Sequence, residues 1–262
     1  MPPKGLPKYL PKTRLYVPDA LVTGARVAAT PGQARHLLKV LRLGIGDRVA
    51  LFNGRNGEWT ASIVEAGRDA CILALEAQLR PQQPEDGPWL LFAPIKKTGV
   101  DFIAEKATEL GVTRLWPVFS AHTAAERINT DRLVANAVAA AEQCRRLTVP
   151  EIAAPVHLTD LAGCWPADRA LLILDERGGS PLAEVLSTLP VSNCKPPGLL
   201  VGPEGGWAPG EIGPLLKRVR GACSVTLGPR ILRAETAALA GIVGWQMLAG
   251  DGSRPPTVRD PG

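Results

Sequence analysis

Two glycine-rich turns in the last third of the sequence have the residue types that bind a ligand through backbone groups. The first turn is Val201-Gly202-Pro203-Glu204-Gly205-Gly206, and the second is Leu227-Gly228-Pro229-Arg230-Ile231-Leu232-Arg233. Each turn follows a short apolar run, which its Gly-Pro pair ends, and precedes a helical pattern. Glycines let backbone amides approach a bound group closely. The pattern therefore predicts a ligand between the two turns, at the carboxyl edge of a parallel sheet.

Two charged side chains in these turns could take part in a reaction. Arg233 stands where the second turn becomes a helix, and it contacts either a phosphate or target base, or forms an ion pair with Glu235 or Glu204. Glu204 either stabilises the N-terminus of the helix that follows the first turn or acts as a general base. The residues alone leave both pairs of alternatives open.

The elements predicted around the two turns alternate between strand and helix. Apolar runs predict strands at 89–95, 112–119, 170–174, 199–201 and 224–227, and helical patterns fall at 101–110, 131–146, 182–189, 211–220 and 234–249. This alternation is typical of an α/β domain with a mostly parallel sheet. We place that domain at residues 89–250, after a linker rich in proline and glutamine at 81–88 and before a proline-rich tail, 251–262, that we expect to be disordered.

A smaller β domain is predicted at residues 13–80. Strand patterns at 14–17, 48–52, 58–64 and 70–79 accompany one helix at 33–43, whose Leu37, Val40 and Leu41 we expect to face the core. Residues 1–84 hold 12 Lys and Arg against 6 Asp and Glu, although the net charge of the whole chain is only +5. A basic module attached to a near-neutral one indicates an anion-binding arm.

Several other functions are disfavoured by the sequence. The pair Gly44-x-Gly46 lacks the third glycine of a dinucleotide fingerprint, and the three histidines have no metal-binding spacing, so we expect no metal. No apolar run reaches the roughly 20 residues of a membrane span, so we expect no membrane partner. Five cysteines without a Cys-x-x-Cys pair indicate reduced thiols in the cytoplasm, and a nucleophilic cysteine paired with a histidine stays open.

The residues of the two turns resemble the signature segments of a known family. Both turns, with Glu235-Thr236-Ala237 after the second, are similar to segments of the small-subunit rRNA methyltransferase E family, which belongs to the SPOUT class. Two further segments resemble the same family, one around Lys106, Glu109, Leu110 and Gly111 and the other around Glu142, Gln143 and Arg146. Residues 36–42 with Gly46-Asp47 resemble its PUA-like domain, an RNA-binding fold.

The resemblance implies a fold, a reaction and a set of site residues. It implies a C-terminal SPOUT domain with helices on both faces of its sheet and a trefoil knot, preceded by the PUA-like β-barrel. It implies methyl transfer from S-adenosylmethionine (SAM) to N3 of a uridine in 16S rRNA, free or in the assembled small subunit. For that reaction Arg233 and Glu204 are the candidate catalytic residues, and the identity of the general base stays open. The implied cofactor-binding residues are Leu174, Asp175, Val201, Gly202, Pro203, Gly205, Gly206, Leu227, Gly228, Ile231, Leu232 and Ala237. The implied RNA-binding residues are Arg14, His36, Lys39, Arg42 and Arg146.

Two alternatives accompany this interpretation: a SPOUT enzyme that methylates tRNA, and a non-catalytic RNA-binding factor of ribosome assembly. The sequence also departs from the family pattern at Ala121-His122-Thr123, Arg145, Ala208 and Ala234. The first departure puts an RNA contact from that loop in doubt, and Ala208 removes an N-cap hydroxyl, although Pro209 is suited to begin a helix.

The last helix indicates a homodimer. Between Ala237 and Ala249 only Gln246 is polar, whereas a surface helix normally has one polar face. Most sides of the helix must therefore be covered, and small residues such as Gly244 would permit close approach of a second copy. The resemblance implies a dimer through the same domain.

Overall fold

The computed structural model describes residue 11, residues 13–188 and residues 195–254. Contacts divide the chain into two compact units. One unit is formed by the described residues up to Pro84 together with Ala141–Val149, and the other by Glu85–Ala140 and the described residues from Pro150 to Arg254. The predicted tail falls largely on residues 255–262, which lie outside the described residues. No helix in the described ranges is long and apolar enough to cross a membrane.

The first unit is built on a five-stranded mixed sheet. Its elements are β1 (Arg14–Tyr16), β2 (Arg26–Ala28), α1 (Pro31–Arg35), a π-helical segment (His36–Val40), β3 (Arg48–Phe52), β4 (Glu58–Ala66) and β5 (Cys71–Arg80). The strands lie in the order β1-β3-β4-β5-β2, with β1 parallel to β3 and the other pairs antiparallel. The alternating side chains of β4 and β5 put one face of the sheet, with Ile63 and Leu73, into the core.

The helical segment of this unit differs from its prediction in start and winding. Thr30 caps α1, because its hydroxyl accepts from the Gln33 backbone amide. The Gln33 side-chain oxygen in turn accepts from the Thr30 backbone amide, so the helix begins at Pro31. From His36 the chain is π-helical, which changes the residue spacing of each turn. Leu37 is buried as predicted, but Val40 and Leu41, predicted to face the core, are exposed.

The second unit alternates strand and helix as predicted. Its elements are β6 (Trp89–Phe92), α2 (Lys97–Glu109), β7 (Arg114–Phe119), α3 (Thr130–Cys144, whose last residues are grouped with the first unit), β8 (Glu151–Ile152), β9 (Val156–His157), α4 (Leu158–Cys164), β10 (Arg169–Leu174), β11 (Ser180–Pro181), α5 (Leu182–Thr188), β12 (Lys195–Val201), α6 (Gly213–Arg218), β13 (Ala222–Thr226) and α7 (Ala234–Leu248). The strand order is β11-β13-β10-β12-β6-β7-β8, and every pair is parallel.

Both faces of this parallel sheet are covered, as the α/β prediction requires. Side chains alternate along β10, so that Leu172 packs with α2, α5 and α7, while Leu171 packs with α4 and α6. This arrangement confirms the predicted fold class. The trefoil knot stays a prediction.

Helix α7 is apolar on its outer side as well as its inner side. Ala238, Ile242 and Trp245 are buried against the sheet, whereas Val243 and Met247 are 42% and 66% exposed. The one polar residue of this stretch does not face outward, because the Gln246 amide donates to the Leu110 carbonyl at 2.7 Å. The helix therefore presents no polar face at its centre.

Candidate ligand cavity

A cavity of about 250 Å³ opens at the carboxyl edge of the parallel sheet. It lies where β10, β12 and β13 end and where α7 begins. Both glycine-rich turns form its walls, because parallel strands end at the same edge. All residues predicted to bind the cofactor line this cavity except Gly205, which lies between two lining residues.

The glycines of the two turns are required for different reasons. A Cβ at Gly202 would lie 2.9 Å from Cε2 of Trp207, whose ring is buried beside the first turn. Gly228 has open space around it, but its φ of +106° is a conformation that side chains disfavour. The first turn therefore depends on close packing and the second on backbone conformation.

Asp175 supplies a buried carboxylate at the end of β10. Its Oδ1 accepts from the Arg177 backbone amide at 3.0 Å and from Nε at 2.9 Å, and its Oδ2 accepts from Nη2 at 2.9 Å. Burial raises the pKa of the Asp175 carboxyl, but the hydrogen bonds and charge of Arg177 outweigh burial and leave the pKa below its ordinary value. The Asp175 carboxylate on the cavity wall is therefore ionised at neutral pH and is paired with Arg177.

Arg233 and Glu204 lie on opposite turns and both line the cavity. Both residues are exposed, and in the described part of the chain neither forms an ion pair. The ion pair weighed for Arg233, with Glu235 or Glu204, is thus not formed there. Arg233 occupies the N-cap position of α7 but makes no side-chain cap bond, so its guanidinium does not cap the start of the helix.

Glu204 lies nine residues before the helix whose N-terminus it was considered to stabilise. That helix was predicted at 211–220, and Pro209 was considered suited to begin it. Instead, α6 begins at Gly213 with Pro214 in its first turn, and an irregular loop separates it from Glu204. The general-base alternative for Glu204 stays a prediction.

The structure also brings to the cavity residues that the sequence did not single out. They flank the predicted positions and are Glu176, Trp207, Val225, Thr226, Arg230 and Ala234. Most of them directly precede or follow the glycine turns, so proximity in sequence was the available signal. Arg177 was missed, because only the fold shows that it binds Asp175.

The predicted RNA-binding residues are divided between exposed and buried positions in the first unit. His36, Lys39 and Arg42 are exposed along and just after the π-helical segment. Lys39 has only a loose ion pair with Asp69, at 3.8 Å. Arg146 is half-buried, and its Nη2 donates to Thr148 Oγ1 at 3.2 Å.

The buried position of Arg14 contradicts the RNA contact predicted for it. Its side chain is 6% exposed and is paired with Glu58. The guanidinium also donates to the carbonyls of Ala141 and Arg146, at 2.7 and 2.6 Å. A side chain enclosed in this way holds the unit together and is not available to a phosphate.

Comparisons with known proteins match two separate parts of the chain to family models. Residues 85–245 match a family model described as an RNA methyltransferase domain, and residues 30–76 match one described as an RNA methyltransferase PUA domain. The chain is 30% identical to the ribosomal RNA small subunit methyltransferase E of Rickettsia conorii, over 90% of this chain and 95% of that relative. It is 32% identical to the protein of the same name from Synechocystis sp., over 86% and 74% of the two chains.

Two solved structures are similar along nearly their full length. A ribosomal RNA small subunit methyltransferase E from Neisseria gonorrhoeae, bound to SAM, superposes with a TM-score of 0.78 at 28% identity, covering 91% of this chain and 98% of the other. A methyltransferase from Legionella pneumophila in complex with SAM gives the same TM-score at 26% identity, with the same coverage of both chains.

Proposed function

The chain belongs to the ribosomal RNA small subunit methyltransferase E family, and from that premise we propose that it transfers a methyl group from SAM to N3 of a uridine in 16S rRNA. The observation that carries this proposal is the cavity formed by the two glycine-rich turns at the carboxyl edge of the parallel sheet. We infer from this rRNA substrate that the protein acts in the cytoplasm.

The residues of the cavity suit SAM as the cofactor. Leu174, Val201 and Leu227 give the wall apolar surface, and the backbone of the turns offers hydrogen-bonding groups beside it. The Asp175 carboxylate, held in place by Arg177, adds hydrogen-bond acceptors to the wall. When bound, SAM supplies an electrophilic methyl group on its sulfonium.

Residues of the chain then remove the uridine proton and stabilise the charge that develops on the base. N3 carries a weakly acidic proton that it must lose before it becomes a nucleophile. Glu204, on the first turn, is the carboxylate that accepts this proton, and Arg233, on the second turn, stabilises the negative charge that develops on the base. Holding both reactants in one cavity supplies further acceleration.

A methylation assay tests the proposal directly. Purified protein is incubated with methyl-labelled SAM and either small subunits, free 16S rRNA or tRNA, and the digested nucleosides are identified by mass spectrometry. We expect 3-methyluridine from an rRNA sample. Label in tRNA alone would favour the alternative of a SPOUT enzyme that methylates tRNA. SAM binding without label in any RNA would favour the non-catalytic RNA-binding factor. In cells, 3-methyluridine that persists in 16S rRNA after deletion of the gene would refute the assignment.

We propose that the first unit contacts rRNA through His36, Lys39, Arg42 and Arg146. Lys39 and Arg42 are exposed beside the π-helical segment, and in the described ranges Arg42 forms no ion pair. We expect Arg42→Gln to lower the slope of log affinity against log salt by roughly one unit, because one phosphate contact is lost. The measurement is RNA binding at several salt concentrations, with SAM affinity as the internal check. The control is Arg26→Gln in the same unit, which should leave the slope unchanged. The Arg26 side chain is also exposed, but it is paired with Glu65.

We also propose that the enzyme is a homodimer that associates through α7. The outer stripe of α7 consists of Thr236, Ala240, Val243 and Met247, which follow helical spacing and include two large exposed apolar side chains. An isologous two-fold contact would cover this stripe with the same stripe of a second copy. The arrangement supports a closed dimer in which each α7 is buried.

Met247→Asp is expected to split the dimer, because a charge would be buried in its interface. Sedimentation equilibrium at micromolar concentration should give a dimer mass for the wild type and a monomer mass for the variant. Ile45→Asp, at a position 71% exposed in the first unit, controls for the added charge and should stay dimeric. Gly244 is unsuitable for this test, since a side chain there would meet Leu182 at 2.9 Å inside the same chain. A monomeric wild type would refute the dimer.

A further inference from the structure

The loop that follows β7 reaches the first glycine turn from a distant part of the sequence. It is a tight turn over residues 120–123, in which the Ser120 amide donates to Thr123 Oγ1 at 2.9 Å and the Thr123 amide donates to the Ser120 carbonyl at 3.1 Å. These bonds close the turn on itself. Because β7 runs parallel to the other strands, the loop emerges at the same edge of the sheet as the cavity.

His122 bonds directly to the backbone of the first turn. Its Nδ1 lies 3.0 Å from the Gly205 carbonyl oxygen and 3.2 Å from that of Gly206. A carbonyl oxygen only accepts, so Nδ1 must carry the proton in this contact. The side chain also packs closely, since a Cβ added at Gly205 would lie 3.2 Å from the His122 Cβ and 3.6 Å from the first ring atom, Cγ.

Glu211 makes a second link between the same two segments. Its Oε1 accepts from the Ala121 amide at 2.7 Å, and its Oε2 accepts from the Ala208 amide at 2.9 Å. One carboxylate thus joins the loop after β7 to the chain just beyond the first turn. Hydrogen bonds to a charged acceptor are stronger than neutral ones.

These links matter because the chain between β12 and α6 is irregular. Residues 202–212 form neither helix nor strand, yet Gly202, Pro203, Glu204, Gly206 and Trp207 all line the cavity. Helix and sheet bonds therefore do not determine the shape of this wall. A binding segment that is held in place before the ligand arrives loses less conformational entropy on binding.

We propose that His122 and Glu211 are positioning residues that hold the first glycine turn in the conformation that binds SAM. The inference rests on the proposed function, since SAM is the ligand of that function. It also gives a role to the loop at which the sequence departs from its family: His122 acts on the cofactor wall through the protein backbone. Neither side chain lines the cavity, so their effect passes through the turn.

The test compares two substitutions of His122 by calorimetric titration of SAM. His122→Ala removes the donor, and we expect SAM affinity to fall about tenfold, the size of one well-formed hydrogen bond. His122→Asn places an amide donor where Nδ1 was but has no counterpart of Nε2, and we expect affinity within about threefold of the wild type. The control, His157→Ala, removes another exposed histidine of the same unit, which does not line the cavity, and should have no effect.

Kinetics and a double variant separate positioning from general loss of stability. In His122→Ala, KM for SAM should rise with the loss of affinity, while KM for the RNA stays near the wild-type value. Glu211→Ala should also weaken SAM binding. In the double variant, the fold-loss of SAM affinity should be smaller than the product of the two single fold-losses, because both links hold one segment.

The outcomes are distinguishable. Wild-type SAM affinity in His122→Ala would overturn the inference and leave the proposed function standing. An Asn variant as weak as the Ala variant would also overturn it, because the imidazole itself would then be required. Failure of the wild type to bind SAM would overturn the proposed function, and this inference with it.

Discussion

Replacing Gly202 by valine is expected to weaken SAM binding about 100-fold or more. A side chain at this position cannot be placed without moving its neighbours, because its Cβ would lie 2.9 to 3.3 Å from three atoms of the Trp207 ring. That ring is only 7% exposed and packs with Ile212 and Leu215, so it has little freedom to retreat into the core. The two branches of valine, or the displaced ring, must therefore enter the cavity.

Isothermal titration of SAM measures this effect, and thermal unfolding shows whether the variant is folded. Gly213→Val is the matched control, because a Cβ at Gly213 meets nothing within 4 Å and the residue does not line the cavity. Gly228→Ala provides a smaller substitution, since it adds one methyl group in open space at a residue whose φ is +106°. A folded Gly202→Val protein with wild-type SAM affinity would refute the placement of the cofactor at this turn.

The parallel sheet was predictable because its strands carry a strong local signal. Strands β10 and β12 are buried on both faces, so they read as continuous apolar runs that end at glycine or at a charged residue. Strands β8, β9 and β11 have only two residues each, and no periodicity exists over so short a length. Helix α4 was also missed, since His157 at its N-cap makes no side-chain cap bond that would mark a start.

The cavity was predictable for the same reason as the sheet, but the groups that support it were not. Once parallel strands are assigned, their carboxyl ends converge, so the residues after β10, β12 and β13 must be neighbours. The contact of His122 with Gly205 joins positions 83 residues apart. Its formation depends on where two loops happen to lie, and residue types alone contain no signal for that.

Arg14 shows the limit of reading function from charge. The basic excess of the first third favoured a role in RNA binding for Arg14, Lys39 and Arg42. A count of charges does not distinguish a solvated arginine from one whose partner, Glu58, is 44 residues away on another strand. The fold resolves this, because β1 and β4 flank β3 in one sheet and bring the buried side chains of Arg14 and Glu58 into contact.

Arg14→Ala is therefore expected to lower the free energy of unfolding of the first unit by about 3 kcal/mol. This is the low end of the range for breaking a buried ion pair from one side, because Glu58 keeps its ion pair with Arg80 at 2.7 Å. Four contacts are lost besides that with Glu58. The carbonyls of Ala141, Glu142 and Arg146 lose a donor, and the Phe52 ring loses a cation 4.1 Å from its centroid. Burial lowers the pKa of the Arg14 guanidinium and Glu58 opposes that shift, so the charge is held by its partner rather than by water.

Native-state hydrogen exchange, followed by mass spectrometry of peptides from β3, β4 and β5, measures this loss within the unit. Arg26→Ala is the matched control: it breaks an ion pair with Glu65 in which both side chains are more than 60% exposed, and it should cost less than about 1 kcal/mol. Under conditions in which Arg14→Ala is still folded, the salt dependence of its RNA binding should equal that of the wild type. A stable Arg14→Ala protein with a reduced salt slope would reverse the assignment and return Arg14 to the RNA-binding surface.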